Sequence, residues 1–548
     1  MSTQKVVPTE AERRGFNLND PTVVELVSQA EASHEADAKL TVWDAVKKYK
    51  TAVFWAMFLS TSLIMEGFDL SIIGAFYGQT QFKDRFGTAD PVTGEKSISA
   101  PWTSGLSNSS AVGQLFGLAI NAWAQDRFGC RPTMMFFMIW LIVMIFIPVF
   151  ASSLPVLSVG QILCGIGFGV FQTLSTTYAC EVVPTILRPY VTAYVCMCWG
   201  AGILLSSGVI RATLTINSDW AWRLPFVLQW IWPAPLFIGA YLAPESPWNC
   251  VRRGKLDEAR ENLRRLRQKN SFSLEQEVES TLAYIRHTTQ LEQAETAGAT
   301  FLECFRGTNL RRTEINCVVW AAQILCGNAI LGYALIFLQS AGFSEVQSFN
   351  LNIALSACYI VGGILCWLLF PHFGRATIYM SGLAFMFFCV LTIGILGFFR
   401  STSTDMAVGI LLVISTLCNM ITIGPVCYPI VAETPSGKLR YKTIVIGRLT
   451  YNLTGIVCNC ITPRMVYENE WGWGAKTGLF YAGTNLACLV WCWFRLPETK
   501  DRAFGEIDLL FENRIHARKF RSAKVNQFAH QAHVPGKGGE EEHLEDVA

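Results

Sequence analysis

Twelve apolar stretches, each long enough to cross a lipid bilayer, constrain this 548-residue chain more than any other feature of its sequence. A helix needs roughly 20 residues to cross about 30 Å of hydrocarbon. Runs of that length fall at about 53–80, 104–124, 133–151, 155–179, 190–210, 224–243, 316–338, 348–370, 376–399, 405–432, 443–463 and 477–496. The pattern predicts an all-α membrane protein with twelve transmembrane helices in two six-helix halves.

Polar segments set the predicted boundaries of the chain. These are an N-terminal tail (1–52), a first half (53–243), a linker (244–315), a second half (316–496) and a C-terminal tail (497–548). Within the linker, apolar residues recur at steps of three and four between Leu256 and Leu266, which predicts an amphipathic helix. We therefore expect linker helices under the membrane domain; a plain charged connector is the alternative.

The placement of positive charge predicts the orientation. Lys and Arg gather on the cytoplasmic side of membrane proteins. With both termini in the cytoplasm, 35 of the 44 Lys and Arg residues lie on that side. The net charge is only +2 and 16% of residues are charged, so no large basic face is present and no nucleic-acid partner is expected. The partner predicted by the composition is the lipid bilayer.

Enzyme chemistry finds no support in the sequence. The chain has no Walker motif, no catalytic triad and no spacing typical of metal ligands, and most of its 18 cysteines lie inside apolar runs. We expect no cofactor, no metal and no enzymatic activity.

Three motifs recur six helices apart. Asp126-Arg127-Phe128-Gly129-Cys130-Arg131 is matched by His372-Phe373-Gly374-Arg375. Glu181 with Arg188 is matched by Glu433 with Arg440, and Pro244-Glu245-Ser246 is matched by Pro497-Glu498-Thr499. Three matches in register indicate an internal duplication.

These motifs resemble the sugar porter family of the major facilitator superfamily over about residues 50–520. Within it the chain is most similar to the fungal α-glucoside (maltose-type) permeases, which are proton symporters. That similarity rests on Glu66-Gly67-Phe68-Asp69, on Leu228 to Pro235, on Pro244 to Trp248, on Leu439 to Val445 and on Asp508 to Glu512. The resemblance implies the major facilitator fold and plasma-membrane transport.

Charged residues at the cytoplasmic ends of the helices are candidates for a gate. Carboxylates and guanidiniums there can pair across the two halves and break when the protein opens inward, a role that the resemblance also implies. The candidates are Asp126, Arg127, Arg131, Glu181, Arg188, Glu245, Arg375, Glu433, Arg440 and Glu498. Simple positive-inside anchoring explains the arginines but not the matching acids.

Charges inside the membrane are expensive and mark functional sites. Glu66 and Asp69 are three residues apart, on one face of helix 1, where removal from water favours proton binding. The resemblance assigns proton coupling to them, with Arg448 as counter-ion, because Gln161 stands where many sugar symporters have arginine. Gln114 replaces a glutamate of the α-glucoside permeases, which puts coupling in question. A static ion pair is the alternative.

A sugar site needs amide and hydroxyl groups and aromatic walls near mid-membrane. By resemblance the candidates are Gln323, Asn328, Tyr333, Asn352, Tyr428, Tyr451 and Asn452. Buried amides can also be plain interhelical hydrogen bonds. Ile203 departs from the glutamine that many sugar porters have on helix 5.

The sequence therefore predicts a secondary transporter that imports a sugar, specifically an α-glucoside such as maltose, with protons. Two alternatives remain: a facilitator or exporter of another polyhydroxylated or secondary metabolite, and a transporter-like sugar sensor.

Overall fold

The computed structural model describes residues 41–89, 96–267, 274–296, 300–331, 345–399, 401–436, 439–466, 471–500, 502, 504–526, 531–535 and 541–543. Membrane-length helices dominate these residues. In the first half they are helix 1 (Lys50–Ser60 and Ser62–Phe76), helix 2 (Ala100–Phe128), helix 3 (Cys130–Met144 and Phe146–Val149), helix 4 (Leu154–Val182), helix 5 (Arg188–Thr213) and helix 6 (Trp220–Leu228, the 3-10 turn Gln229–Ile231, and Pro233–Leu242).

The second half repeats the arrangement. Its helices are helix 7 (Gly307–Leu325 and Asn328–Leu331), helix 8 (Glu345–Leu369), helix 9 (Arg375–Leu396), helix 10 (Thr402–Ile421 and Ile423–Glu433), helix 11 (Arg440–Val466) and helix 12 (Thr477–Arg495). Ten spans of the described chain are apolar enough to cross a membrane by length and composition. Helices 2 and 12 are long helices at the two remaining predicted positions.

Shorter elements connect and flank the helices. They are the helices Val42–Lys48, Thr80–Phe86 and Phe504–Glu512, the 3-10 turns Thr185–Leu187, Gly474–Lys476 and Ala517–Lys519, the antiparallel strands Thr88–Ala89 and Lys96–Ser97, and the antiparallel strands Lys524–Asn526, Gln531–Pro535 and Glu541–His543.

Helix 7 begins at Gly307, about two turns before its apolar run. The early turns are polar, yet Arg312 is only 2% exposed because it forms an ion pair with Asp508 of the helix Phe504–Glu512. Its guanidinium also lies 4.7 Å from the ring centroid of Phe511. The C-terminal helix is thus attached to the base of helix 7, and hydropathy alone could not reveal this extension.

The linker is helical, as the spacing in Leu256–Leu266 predicted. Its helices are Pro247–Arg252, Leu256–Leu266 and Leu274–Thr296, followed by the 3-10 turn Phe301–Phe305. They share a small apolar core that includes Cys250, Leu263 and Val278. Arg267 joins this bundle to the chain before helix 1, because it pairs with Glu277 and its guanidinium lies 5.3 Å from the ring of Tyr49.

Close helix contacts place the first half around the centre of helix 1. A Cβ atom added at Gly67 would lie 2.0 Å from the backbone oxygen of Trp199 on helix 5. One added at Gly169 on helix 4 would lie 2.3 Å from the backbone oxygen of Gln114 on helix 2. Small residues allow such close packing of membrane helices. Helices 2, 4 and 5 therefore come near the two acids of helix 1.

Candidate functional site

Glu66 is buried at the contact between the two halves. It is 2% exposed, and its Oε1 atom lies 4.0 Å from Nη2 of Arg448 on helix 11. Two amides also donate to Oε1: Nε2 of Gln172 on helix 4 and, at 3.4 Å, Nε2 of Gln114 on helix 2. Arg448 in turn donates from Nε to Oε1 of Gln172 over 2.8 Å. The structure thus brings together two of the three predicted coupling residues.

Asp69 lies in a different setting. It is 1% exposed, and its Oδ1 atom accepts hydrogen bonds from Nε2 of Gln229 at 2.7 Å and Nε2 of Gln161 at 3.2 Å. Both donors belong to the first half and both are neutral amides. Among the described residues, the hydrogen-bond donors of Asp69 are therefore amides, whereas Glu66 also lies close to a guanidinium.

Arg448 is held between aromatic rings. Its guanidinium carbon lies 4.5 Å from the ring centroids of both Trp320 and Tyr451. Trp320 also contacts Tyr428 and Tyr451 edge-on, with centroid distances of 5.1 Å and 5.3 Å. Helices 7, 10 and 11 thus form an aromatic wall next to the buried charges, and cation–π attraction helps to orient the arginine.

The amides predicted on helix 7 lie along the same wall. Gln323 is 7% exposed and donates from Nε2 to the backbone oxygen of Gly424 at 3.2 Å. Asn328 starts the short segment after the break in helix 7, where Gly327 has a φ of +106° that favours glycine. Beyond this break, Oδ1 of Asn328 is buried.

Several buried polar atoms on helices 7, 10 and 11 have no hydrogen-bond partner among the described residues. They include Nε1 of Trp320, Oδ1 of Asn328 and Nδ2 of Asn452. Trp320 and Asn452 are each 3% exposed. Buried polar groups are rarely left unpaired, so each such atom needs an explanation.

Another predicted substrate residue, Asn352, lies at the contact between helices 8 and 5. Asn352 on helix 8 donates to Oγ of Ser207 on helix 5 at 3.1 Å, and Ser207 is 2.9 Å from Oγ of Ser356. Asn352 therefore forms a hydrogen bond between helices of the two halves. This is the alternative to sugar binding that was given above for buried amides. Tyr333 lies outside the described residues.

At the helix ends, the repeated motifs form matching contacts in the two halves. Oε1 and Oε2 of Glu245 accept the backbone N–H groups of Cys130 at 2.9 Å and Arg131 at 3.0 Å, at the start of helix 3. Glu498 accepts the N–H groups of Ala376 at 3.4 Å and Thr377 at 3.3 Å, at the start of helix 9. A carboxylate at a helix N-terminus satisfies unpaired donors and the helix dipole.

Each half has a second acid, which accepts a hydrogen bond from the residue directly after Glu245 or Glu498 in the sequence. Glu181 accepts from Oγ of Ser246 and pairs with Arg252 of the linker. Glu433 accepts from Oγ1 of Thr499 at 2.6 Å and lies 3.7 Å from Nη2 of Arg375. These pairs stay within one half and the linker, and the expected pairing across the halves stays a prediction.

The remaining gate candidates are placed at the same end. Arg131 donates to the backbone oxygen of Tyr241, and Arg188 donates from Nε to the backbone oxygen of Cys180 at 3.0 Å. Arg127 is exposed at the end of helix 2, and Arg440 begins helix 11. The side chain of Asp126 lies outside the described part of the structure.

Burial raises the pKa of Glu245 above its ordinary value, and its hydrogen bonds from the N–H groups of Arg131, Cys130 and Ser246 oppose that rise. The backbone donors therefore offset only part of the loss of water around this carboxylate.

Sequence reasoning missed three residues of the site. Gln172 and Trp320 were not singled out, and Gln229 was noted only as part of a motif. Gln172 is one amide in the apolar helix 4, and Trp320 precedes Gln323 by three residues, which puts both on one helical face. That spacing was the signal available for Trp320.

Sequence comparisons identify relatives of the whole arrangement. Residues 52–511 match the family model described as "Sugar (and other) transporter". The general alpha-glucoside permease of Saccharomyces cerevisiae (strain ATCC 204508 / S288c) is 39% identical over 518 residues, which cover 93% of this chain and 83% of that protein. The maltose permease MAL61 of Saccharomyces cerevisiae is 37% identical over 508 residues, which cover 92% and 83%.

Solved structures share the fold. The proton:xylose symporter XylE bound to 6-bromo-6-deoxy-D-glucose superposes with a TM-score of 0.71 at 19% identity, covering 84% of this chain and all of that one. A partially occluded inward-open xylose transporter XylE from E. coli gives 0.66 at 17% identity, covering 83% and 100%. These matches confirm the predicted major facilitator fold. The chain is a multi-pass membrane transporter, and it belongs to the sugar transporter family.

Proposed function

We propose that this chain imports an α-glucoside such as maltose together with a proton across the plasma membrane. The observation that carries the proposal is the contact of Glu66, Gln172 and Arg448, which joins the two halves beside an amide and aromatic wall. Substrate class is supported by the relatives named α-glucoside and maltose permeases, which are 37–39% identical over more than nine-tenths of the chain.

Each acid of helix 1 offers one oxygen for a proton. Oε2 of Glu66 and Oδ2 of Asp69 are buried and have no hydrogen-bond partner among the described residues, whereas Oε1 and Oδ1 accept from amides. A protonated carboxyl carries its O–H on one oxygen and can still accept at the other. We therefore propose that protons are held at Oε2 and Oδ2, with the amide hydrogen bonds kept.

The two acids then have different tasks. Asp69 has neutral amide donors, so a proton can neutralise it without breaking an ion pair. Glu66 faces Arg448 of the other half, so its charge strengthens the contact between the halves. Alternating access requires the halves to move against each other around a central site. We propose that both acids take up protons as the sugar binds, and that protonation of Glu66 is the step that links proton binding to this movement.

The sugar is proposed to bind against helices 7, 10 and 11. A sugar hydroxyl can both donate and accept, so hydroxyls can pair with Nε1 of Trp320, Oδ1 of Asn328 and Nδ2 of Asn452. Tyr428 and Tyr451 extend the aromatic surface on which a sugar ring can lie.

The orientation and the gate are part of the same proposal. We place both termini and the linker helices in the cytoplasm, because most basic residues lie on that side. The acids Glu181, Glu245, Glu433 and Glu498 would then lie at the cytoplasmic face, where we propose that pairing with arginines across the halves breaks when the protein opens inward.

Uptake of labelled maltose in transporter-deficient yeast tests the proposal. We expect the chain to accumulate maltose at acidic external pH and a protonophore to abolish the accumulation. Asp69→Asn mimics the protonated acid and should reduce accumulation by at least about tenfold, or about 1.4 kcal/mol. Exchange of internal for external maltose, which needs no net proton movement, should persist.

Asp84→Asn is the matched control, since Asp84 is an exposed acid of the same half whose carboxylate lies 3.7 Å from Lys96. It should transport like the unmodified chain. Absence of maltose uptake would refute the substrate, and accumulation that ignores both the protonophore and Asp69→Asn would refute the coupling.

One observation favours a second function, namely facilitated diffusion. Gln114 contacts Glu66 where the α-glucoside permeases have a third acid, so this site has one proton acceptor fewer. A facilitator would equilibrate maltose without accumulating it, which the same protonophore experiment distinguishes from symport.

A further inference from the structure

Gln172 occupies the middle of the contact between the halves. Its side chain is 5% exposed on helix 4, and both ends of its amide are used. Nε2 donates to Oε1 of Glu66, and Oε1 accepts from Nε of Arg448 at 2.8 Å. The direct approach of Arg448 to Glu66 is longer, at 4.0 Å. The short hydrogen-bonded path between these opposite charges therefore passes through a neutral amide.

The two charges fix the orientation of that amide. If the amide were rotated by half a turn, its Nε2 would face the N–H of Arg448 and its Oε1 would face the carboxylate of Glu66. Both contacts would then be repulsive, because donor would meet donor and acceptor would meet acceptor. The amide is held in one orientation as long as Glu66 is ionised and Arg448 is in place.

We infer that Gln172 is a positioning residue of the transport cycle, which transmits the charge state of Glu66 to Arg448 and thereby to the contact between the halves. The inference rests on the proposed proton symport. While Glu66 is ionised, both hydrogen bonds are charge-assisted and hold the halves together. When a proton from the external solution binds Oε2, the acid becomes neutral, so the bond from Gln172 loses its charge assistance and Arg448 loses its attraction to Glu66. Release of that proton to the cytoplasm restores them.

Gln172 is distinguished from the other groups near Glu66 by its hydrogen bonds to both halves. The titratable or charged side chains that face Glu66 among the described residues, apart from Arg448, are Asp69 of helix 1, Tyr428 of helix 10 and Tyr451 of helix 11, with Cys196 of helix 5 and Cys427 of helix 10 next to Arg448. Helices 2 and 4 contribute the neutral Gln114 and Gln172. Gln172 is the one of these two amides that also bonds to the other half.

Two variants test the role through readouts that a structural role would not change. Gln172→Leu removes both hydrogen bonds at similar volume, so the maximal rate of maltose uptake should fall by about tenfold while KM changes by less than about twofold. Gln172→Glu keeps an acceptor for Arg448 but adds a carboxylate beside Glu66. Like charges favour proton retention, so the pH profile of uptake should move to higher pH.

Gln125→Leu is the matched control. Gln125 is also a buried glutamine of the first half, 2% exposed, but it lies near the end of helix 2, where its Nε2 bonds to Sγ of Cys130 and not to Glu66 or Arg448. It should keep the uptake rate and the pH profile of the unmodified chain at equal surface abundance.

The outcomes are separable. If the unmodified chain shows protonophore-sensitive uptake and Gln172→Leu matches Gln125→Leu in rate per surface molecule, the role of Gln172 is overturned and the proposed function stands. The role is also overturned if Gln172→Glu leaves the pH profile unmoved. If the unmodified chain shows no protonophore-sensitive uptake, the proposed symport fails and the inference with it.

Discussion

Glu66 and Asp69 are one helical turn apart and equally buried, yet their partners differ in charge and in location. Glu66 binds Gln114, Gln172 and Arg448, so its contacts extend into the second half. The described hydrogen bonds of Asp69 come from neutral amides of the first half, Gln161 and Gln229. The comparison teaches that two acids on one helical face can serve as an inter-half contact and as a proton site.

The largest expected effect comes from removing the cation of the Glu66 site. Arg448→Leu leaves a buried carboxylate without its counter-ion, and breaking a buried ion pair costs about 3–5 kcal/mol. We expect little folded protein at the membrane and no uptake, measured by fluorescence of a tagged protein and by thermal unfolding in detergent.

A second substitution shows which acid depends on that cation. Glu66→Gln together with Arg448→Leu removes both charges and should restore much of the folded protein, though not coupled uptake. Asp69→Asn together with Arg448→Leu should restore none. Equal recovery in both double variants would show that the two acids share Arg448, which contradicts the comparison.

The Asp69 site offers a smaller effect with a defined direction. Gln161→Arg places a guanidinium beside Asp69, because Nε2 of Gln161 lies 3.2 Å from Oδ1 of Asp69. An opposite charge at this distance favours the ionised acid, so the acid binds its proton at a pH lower by about one unit or more. Uptake should therefore need more acidic external pH, with its pH profile shifted by about one unit.

Gln161→Leu separates charge from hydrogen bonding in that experiment. It removes one amide donor from Asp69 and adds no charge, so the pH profile should move in the opposite direction, toward higher pH. Identical profiles for Gln161→Arg and Gln161→Leu would mean that Asp69 is not the acid whose titration limits uptake.

Much of this fold was predictable from the sequence, because membrane helices need long apolar runs and each of the twelve runs overlaps a described helix. Helix 7 exceeded its run because Arg312 is buried by an ion pair with a distant segment, which hydropathy does not register. Charged site residues were predictable because a charge inside the membrane is costly, so the few charges in apolar runs mark functional sites. Gln172 was not, because a neutral amide in an apolar helix also suits plain interhelical bonding, and the distinction depends on which charges lie at its two ends.

The smallest expected effect concerns Glu245. This acid accepts hydrogen bonds from backbone N–H groups, whereas Glu66 and Asp69 accept them from side-chain amides. Glu245→Gln turns Nε2 or Oε1 toward the N–H groups of Cys130 and Arg131, so one of these donors loses its acceptor. The expected cost is about 1–2 kcal/mol of stability. Glu498→Gln should cost less, since the hydrogen bonds of Glu498 are longer, at 3.3–3.4 Å against 2.9–3.1 Å.

The pH dependence of this effect has a definite sign. Because burial raises the pKa of Glu245 in the folded protein, the folded state binds a proton more readily than the unfolded chain does. The contribution of Glu245 to the free energy of unfolding is therefore greatest at low pH and declines as pH rises from its ordinary value of 4.5 through the raised one. Glu245→Gln should remove this decline from the thermal unfolding of the detergent-purified protein. An unchanged slope would show that the backbone N–H groups fully replace water around this carboxylate.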